Sequence, residues 1–253
     1  MTPLERVLII SDCTDIAFAE MRGAIYAAAR QAGSPAPRVE PLVPVRPFSV
    51  LNAGFVLRLM AESYGSETLL MFIMNSIPER TERIVGRTKD RGLVFEGTNT
   101  GAAGWLVDEF GVAECHELHD PGFVPFGGKF VHAPAVGRLM AGAELSTLGS
   151  PFPETSIRRV LPAERQIVHI DNFGNAKFRL TGAFEPGQRL RVTTGTGFTV
   201  DAVYGRRMMA HPDGTWVVYP GSSLDLHELG QVRRPGLLAT GVSVGDVLDI
   251  ATA

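Results

Sequence analysis

At Arg165 the hydrophobic pattern changes period, and that change constrains the fold more than any single motif. Before it, continuous apolar runs alternate with helical spacings. Val7-Leu8-Ile9-Ile10 reads as a strand buried on both faces, as do Thr68 to Met74 and the shorter Gly92 to Phe95. Asp15 is placed to cap a helix over 16–31, which Gly33, Pro35 and Pro37 close. Ser49 caps a second over about 50–64, and further helical patterns cover about 102–110 and 132–142. Strands alternating with helices predict a mostly parallel sheet flanked by helices. After Arg165 the runs are short: Gln166–Ile170, Arg189–Thr194, Thr199–Tyr204, Trp216–Tyr219 and Val247–Ile250, separated by glycine-rich turns. That pattern predicts a small antiparallel β domain. The proline-bearing stretch Leu148–Pro162 reads as the linker, giving domains of 1–160 and 161–253.

Composition narrows the function classes. With 45% hydrophobic residues in 253, the chain can bury a sizeable core. Its 28 glycines and 17 prolines exceed the usual share of about 12% but stay below the about 25–30% of unstructured chains. The formal net charge of −3, from 24 basic and 27 acidic residues, gives no basis for a nucleic-acid or polybasic membrane partner. No stretch approaches the ~18 apolar residues of a membrane span. Cys13 and Cys115 support neither a disulfide framework nor a four-ligand zinc site, so no metal and a reduced, cytoplasmic setting are expected.

Several polar groups have a plain reading. His116-x-x-His119-Asp120, beside Cys115, reads as a solvated loop because Pro121-Gly122 follows. Arg206-Arg207 and Arg233-Arg234 read as surface charge at turns. Met71, Met74, Met208 and Met209 read as packing residues. Two groups suit a ligand better. Asp12, in Ser11-Asp12-Cys13-Thr14-Asp15, follows the first strand, where parallel sheets bind ligands, and a carboxylate there can accept from a ribose diol. Asp171-Asn172-Phe173-Gly174-Asn175 ends an apolar strand with an acid, an aromatic and a tight turn. No G-x-G-x-x-G or phosphate-binding loop follows the first strand, so a dinucleotide reading has no support.

Taken in order, these segments resemble the S-adenosylmethionine (SAM) hydroxide adenosyltransferases, a family that includes the SAM-dependent fluorinase and chlorinase. Ser11-Asp12-x-Thr14-Asp15 with Glu20-Met21-Arg22-Gly23 resembles the family's Asp-Phe-Gly-Thr…Met-Lys-Gly opening. Phe126-Gly127-Gly128-Lys129-Phe130-Val131-His132-Ala133-Pro134 is similar to its Phe-His-Gly-Arg-Asp-x-Phe-Ala-Pro segment. Asp171 to Asn175 resembles Asp-His-Phe-Gly-Asn. Tyr204 falls at an adenine-stacking aromatic, and Ser222-Ser223-Leu224-Asp225-Leu226 resembles a late Gly-x-Leu-Glu-Ile strand.

The resemblance implies an α/β N-terminal, nucleoside-binding domain with a mostly parallel sheet and a C-terminal antiparallel, β-barrel-like domain. It also implies a homotrimer that binds its small-molecule ligand between subunits, with SAM as substrate and no separate cofactor. Asp12 would then hold the ribose hydroxyls. Phe173, Asn175 and Tyr204 would surround the adenine, and Asp171 would face the methionine ammonium. The implied reaction is attack of water on the ribose C5′, giving adenosine and L-methionine. The family's hydroxide-using members hold that water with an Asp, an Arg and a His. Here the Asp position reads Asn75, the Arg position Arg83 or Arg80, and the His position Gly127; the methionine-gripping Asn-Ser reads Tyr219-Pro220. Two readings follow: a hydrolase with a rearranged constellation that includes Asn75 and Arg83, or a homologue that binds an adenosyl or other nucleoside ligand without this chemistry.

Overall fold

The computed structural model describes residues 3–74, 81–119, 121–182 and 184–253. They form two compact units, 1–161 and 162–253.

The first unit runs β1 (Arg6–Ser11), α1 (Ile16–Gln31), β2 (Arg38–Val39), β3 (Val43–Pro44), α2 (Val50–Ser63), β4 (Thr68–Ile73), β5 (Arg83–Thr88), β6 (Val94–Thr98), α3 (Gly104–Phe110), β7 (Val112–Leu118), α4 (Ala133–Met140) and β8 (Gly149–Pro151). Its sheet has the order β2-β1-β4-β6-β5-β7-β8, with β3 also on β1. β1, β4 and β6 are parallel, whereas β5 runs antiparallel to β6 and β7 antiparallel to β5. The direction thus reverses beside β6.

The pleat divides the apolar residues between two faces. Val7, Ile9, Leu69, Met71, Val85 and Val94 share a buried cluster with Met21 and Ile25 of α1 and Val136 and Leu139 of α4. Gly137 lets those helices approach closely, because a Cβ there would lie 2.5 Å from the Ile25 carbonyl oxygen. α2 and α3 meet through Phe55 and Trp105, whose ring centroids are 6.4 Å apart. Each large apolar side chain buried this way stabilises by about 1.5–3 kcal/mol. Asp15 caps α1 by accepting from Ala17 N, and Ser49 caps α2 by accepting from Asn52 N.

Three expectations for this unit change. The 148–162 stretch is not all linker, since β8 within it pairs with β7; Pro151 is tolerated on that edge strand because an edge leaves N–H positions unused. His116 lies in β7 rather than a loop, opposite Val85, and Cys115 beside it is buried, its thiol pushed up to about 12 mainly by loss of water. The last helical pattern begins earlier than expected, as a π-helical turn over Gly128–His132 that leads into α4.

The second unit contains β9 (Ile167–Ile170), β10 (Ala176–Phe178), β11 (Arg189–Thr194), β12 (Thr199–Tyr204), β13 (Trp216–Pro220), β14 (His227–Gln231) and β15 (Leu248–Thr252). They form one sheet, β15-β11-β12-β13-β14-β10-β9. The sheet curls until its ends meet: Gln166 bridges Val247, Ile167 N donates to Asp246 O and Leu248 N to Arg165 O. Phe178, Leu190, Val192, Val218, Leu229 and Ile250 fill the interior.

This sheet is antiparallel except between β12 and β13, which are parallel. The 205–215 connection, with a short helical turn at Met208–Ala210, is long enough to bring the chain back in the same direction. Ser222–Leu226 forms a turn, not a strand; Leu224 and Asp225 have φ of 52° and 53°, and the strand starts at His227. Met209 is 59% exposed and is not a packing residue. Among the described residues no helix is long and apolar enough to cross a membrane.

Candidate functional site

Four polar side chains converge on one face of the first sheet, at the edge where parallel strands end. The pleat places them there. Val85 and Val94 belong to the cluster under α1 and α4, so Arg83, Glu96 and Thr98, two residues along on the same strands or four for Thr98, share that face. The antiparallel register sets Val85 opposite Glu96 and Arg83 opposite Thr98. The π-helical turn before α4 lays His132 over them.

His132 sits between two of these groups. Its Nδ1 is 2.5 Å from Glu96 Oε1, and its Nε2 is 3.3 Å from Thr98 Oγ1. The side chains of His132 and Glu96 are 3% and 0% exposed. A carboxylate only accepts, so with Glu96 ionised Nδ1 carries the proton and the Nε2 lone pair faces the Thr98 hydroxyl. The second carboxylate oxygen, Oε2, is buried with no hydrogen-bond partner among the described residues. Thr98, at the strand end, is half-buried.

Gly127 adjoins this group. A Cβ built there would lie 3.5 Å from Arg83 Nε and Nη2 and 3.8 Å from His132 Cδ2. The guanidinium and the edge of the imidazole therefore both lie within 4 Å of the Cβ position that Gly127 leaves empty.

Asp12 lies beyond the end of β1. Its Oδ2 accepts from Phe48 N at 3.0 Å, and Cys13 Sγ is 3.8 Å from Oδ1. Phe48 has a φ of 62° and is 68% exposed, so one Asp12 oxygen anchors a strained loop position. Asn75 and Arg80 lie outside the described residues. Arg83 is thus the described candidate of the two arginines.

In the second unit, Asp171, Phe173 and Asn175 belong to one turn. Asp171 Oδ1 accepts from Phe173 N and Asn175 N, both at 2.9 Å, and Oδ2 accepts from Asn175 Nδ2 at 3.0 Å. Gly174, with φ of 81°, is required: a Cβ would sit 2.2 Å from the Pro235 carbonyl oxygen. The acid and amide of this motif therefore hold the turn itself, and what the turn presents outward is Phe173, 66% exposed.

Tyr204 stands on a different element. Its ring packs against Phe184, centroids 5.8 Å apart, and its hydroxyl is 3.2 Å from His227 Nε2. Burial holds the His227 pKa below its ordinary value. Near the Asp171 turn, a polar row crosses three strands: Lys177 pairs with Glu228, and Tyr219 donates to Glu228 Oε2 at 2.6 Å. His169, across from Lys177 in the register, has its pKa lowered by burial and then by the Lys177 charge.

Residue spacing did not reveal Glu96, Thr98 or His132. The available signal was one acid inside an otherwise apolar strand, Leu93-Val94-Phe95-Glu96, because a charge in a strand buried on both faces needs a partner. Among the described residues no group of three or more His, Cys, Asp or Glu side chains is arranged to hold a metal ion. Arg206, Arg207, Arg233 and Arg234 are exposed.

No protein-family model matches the chain, and no curated protein matches its sequence. Solved structures do. An uncharacterized conserved protein from Thermotoga maritima superposes with a TM-score of 0.82 at 18% identity, covering 97% of this chain and 100% of its own. A conserved hypothetical protein from Thermus thermophilus gives 0.75 at 20% identity, covering 99% and 100%. At these identities the likeness is one of fold: the chain shares its architecture, over nearly its whole length, with both proteins.

Proposed function

We propose that the protein cleaves an adenosyl compound of the SAM type by attack of water at the ribose C5′, giving adenosine and L-methionine. The observation that carries this reading is the pairing of Arg83 and His132 around Gly127. The resembling family places its water-holding histidine at the Gly127 position and a phenylalanine at the His132 position. In this chain the His132 ring lies near the same point beside the arginine, its Cδ2 3.8 Å from a Cβ built at Gly127.

In the proposed step a water lone pair forms the C5′–O bond as the C5′–S bond breaks. The bonding pair passes to sulfur, neutralising the sulfonium, and one water proton passes to the Thr98 hydroxyl as that hydroxyl gives its own to the His132 Nε2 it faces. The sulfide leaves without needing an acid, so positioning and a proton acceptor are what the protein must supply. Asp12, whose Oδ2 already accepts from Phe48 N, is proposed to take the ribose hydroxyls. Phe173 and Tyr204 are proposed to meet the adenine, with Asp171 and Asn175 holding the turn that presents Phe173.

A second reading, ligand binding without turnover, is favoured by one observation: the His132 side chain is 3% exposed, with Nδ1 on Glu96 and Nε2 on Thr98. Incubation with SAM followed by chromatography separates the two. Adenosine and methionine in equal amounts support the hydrolase; ligand heat in calorimetry with no product supports the binder. Asp12→Ala abolishes binding under both, and unchanged affinity removes Asp12 from the site. A homotrimer in a cytoplasmic setting belongs to the same proposal and is tested by mass measurement in solution.

A further inference from the structure

A cavity of about 210 Å³ lies at the far end of the first sheet from the candidate site. The register pairs Arg83 with Thr98 at the site and Arg87 with Val94 at this end; four residues of strand separate the two by about 13 Å. Leu4, just before β1, and Val94, at the start of β6, form an apolar floor with Leu139 of α4 and Leu145 beyond it. Gly142, with φ of 94°, turns the chain after α4, and Ala143 N donates to Arg138 O at 3.0 Å. One wall is thus a hydrogen-bonded helix end.

Two residues of opposite charge also line this cavity, Arg87 and Glu144. Arg87, its side chain 23% exposed, donates through Nε to Glu114 Oε1 at 3.3 Å, and its two Nη groups have no hydrogen-bond partner among the described residues. The other Glu114 oxygen faces His116 Nε2 at 3.6 Å, so that acid is engaged by neighbouring strands. Glu144 is exposed and forms no ion pair among the described residues. The two charges therefore share one space without meeting each other. A lone anion would find Arg87 already offset by Glu114 and would be repelled by Glu144 as well. A zwitterion avoids both costs: its carboxylate can take the free edge of the guanidinium, and its ammonium can face Glu144. The apolar floor calls for an apolar tail. An apolar cavity of about 150 Å³ is room enough for benzene, so this one suits a tail of ordinary side-chain size.

We propose that this cavity binds a free α-amino acid whose side chain is apolar and about as large as that of leucine or methionine. The site is separate from the one above and does not depend on the adenosyl-cleaving reading.

The test is titration calorimetry of the whole protein with L-leucine and L-methionine. The expected result is saturable binding with a Kd of about 1 mM or below. 4-Methylpentanoate, which lacks the ammonium, and isoamylamine, which lacks the carboxylate, should each bind at least about 10-fold more weakly. Glu144→Gln alters an exposed, unpaired side chain and should weaken leucine binding about 10-fold with the melting temperature unchanged. Ala143→Phe, which puts a ring into the cavity, should abolish it, and Asp12→Ala should leave it unchanged. No heat with either amino acid at about 10 mM overturns the inference, as does equal binding of the two analogues. Binding that survives both Glu144→Gln and Ala143→Phe, or that is lost in Asp12→Ala, places the amino acid elsewhere and overturns it too. None of these results bears on cleavage of SAM, which is measured separately.

Discussion

Replacing Gly127 with alanine is expected to raise stability and lower turnover together. The backbone there has φ −55° and ψ −39°, a helical conformation open to any L-residue. The new methyl would stand 3.5 Å from Arg83 Nε and Nη2 and 3.8 Å from His132 Cδ2, all ordinary contacts. With no strain in the fold, the dominant effect is on the unfolded chain, which loses conformational freedom; that stabilises by about 0.4–1 kcal/mol. For a unit of this size the melting temperature should rise by about 1–4 °C. The same methyl fills the Cβ position beside the guanidinium and the edge of the imidazole, so a nucleophile held there is displaced. A displacement near 1 Å costs on the order of 100-fold in rate. Scanning calorimetry gives the first quantity, and initial rates of adenosine release from SAM the second. A lower melting temperature would show that the neighbours cannot accommodate the methyl. A higher one with undiminished turnover would refute the placement of the reacting groups beside Gly127.

Gly97→Ala should destabilise the first unit by about 3 kcal/mol, the upper end of overpacking costs, because the added carbon would lie 2.2 Å from the Phe72 carbonyl oxygen; chemical denaturation measures it. Glu228→Ala strands the Lys177 ammonium, 12% exposed, and should cost about 3–5 kcal/mol, whereas Tyr219→Phe loses one hydrogen bond and about 1–2 kcal/mol; equal losses would contradict the charge argument. His169 and His227 both have pKa values held below the ordinary 6.5 by burial. The unfolded chain therefore binds protons first as pH falls, so stability is full above about 6.5 and declines below it. Thermal melts between about pH 5 and 8 should show this slope, and a His169→Gln, His227→Gln double variant should flatten it.

The elements that the sequence made legible are those whose evidence is local. α1 carries its cap at Asp15 and its stop at Pro35, and β1 is an unbroken apolar run because helices cover both its faces. β5 was not legible: Arg83, Gly86 and Arg87 interrupt its apolar pattern, and only its pairing with β6 and β7 makes Arg-Ile-Val-Gly-Arg-Thr a strand. β10 is three residues long and fixed by neighbours on both sides. The candidate site shows the same division. Asp12 and the Asp171 turn stand out from neighbours in sequence, although the turn proves to spend its polar atoms on itself. Glu96 and His132 lie 36 residues apart, and nothing short of the sheet register and the helical turn over it brings them together. Buried pairs assembled across a sheet leave no spacing to read.

The position of β6 has a consequence for how activity would fail. This strand is hydrogen-bonded on one side to β4 and on the other to β5, so the amides of Glu96, Gly97 and Thr98 exchange with solvent only when the sheet itself opens. Glu96 and Thr98, which contact the proposed proton acceptor His132, are mounted on that slow-exchanging segment rather than on a loop that frays. On heating, the proton-handling geometry should persist until the whole first unit melts. Inactivation and global unfolding would then share one temperature, and the most protected amides in the molecule would mark the catalytic strand.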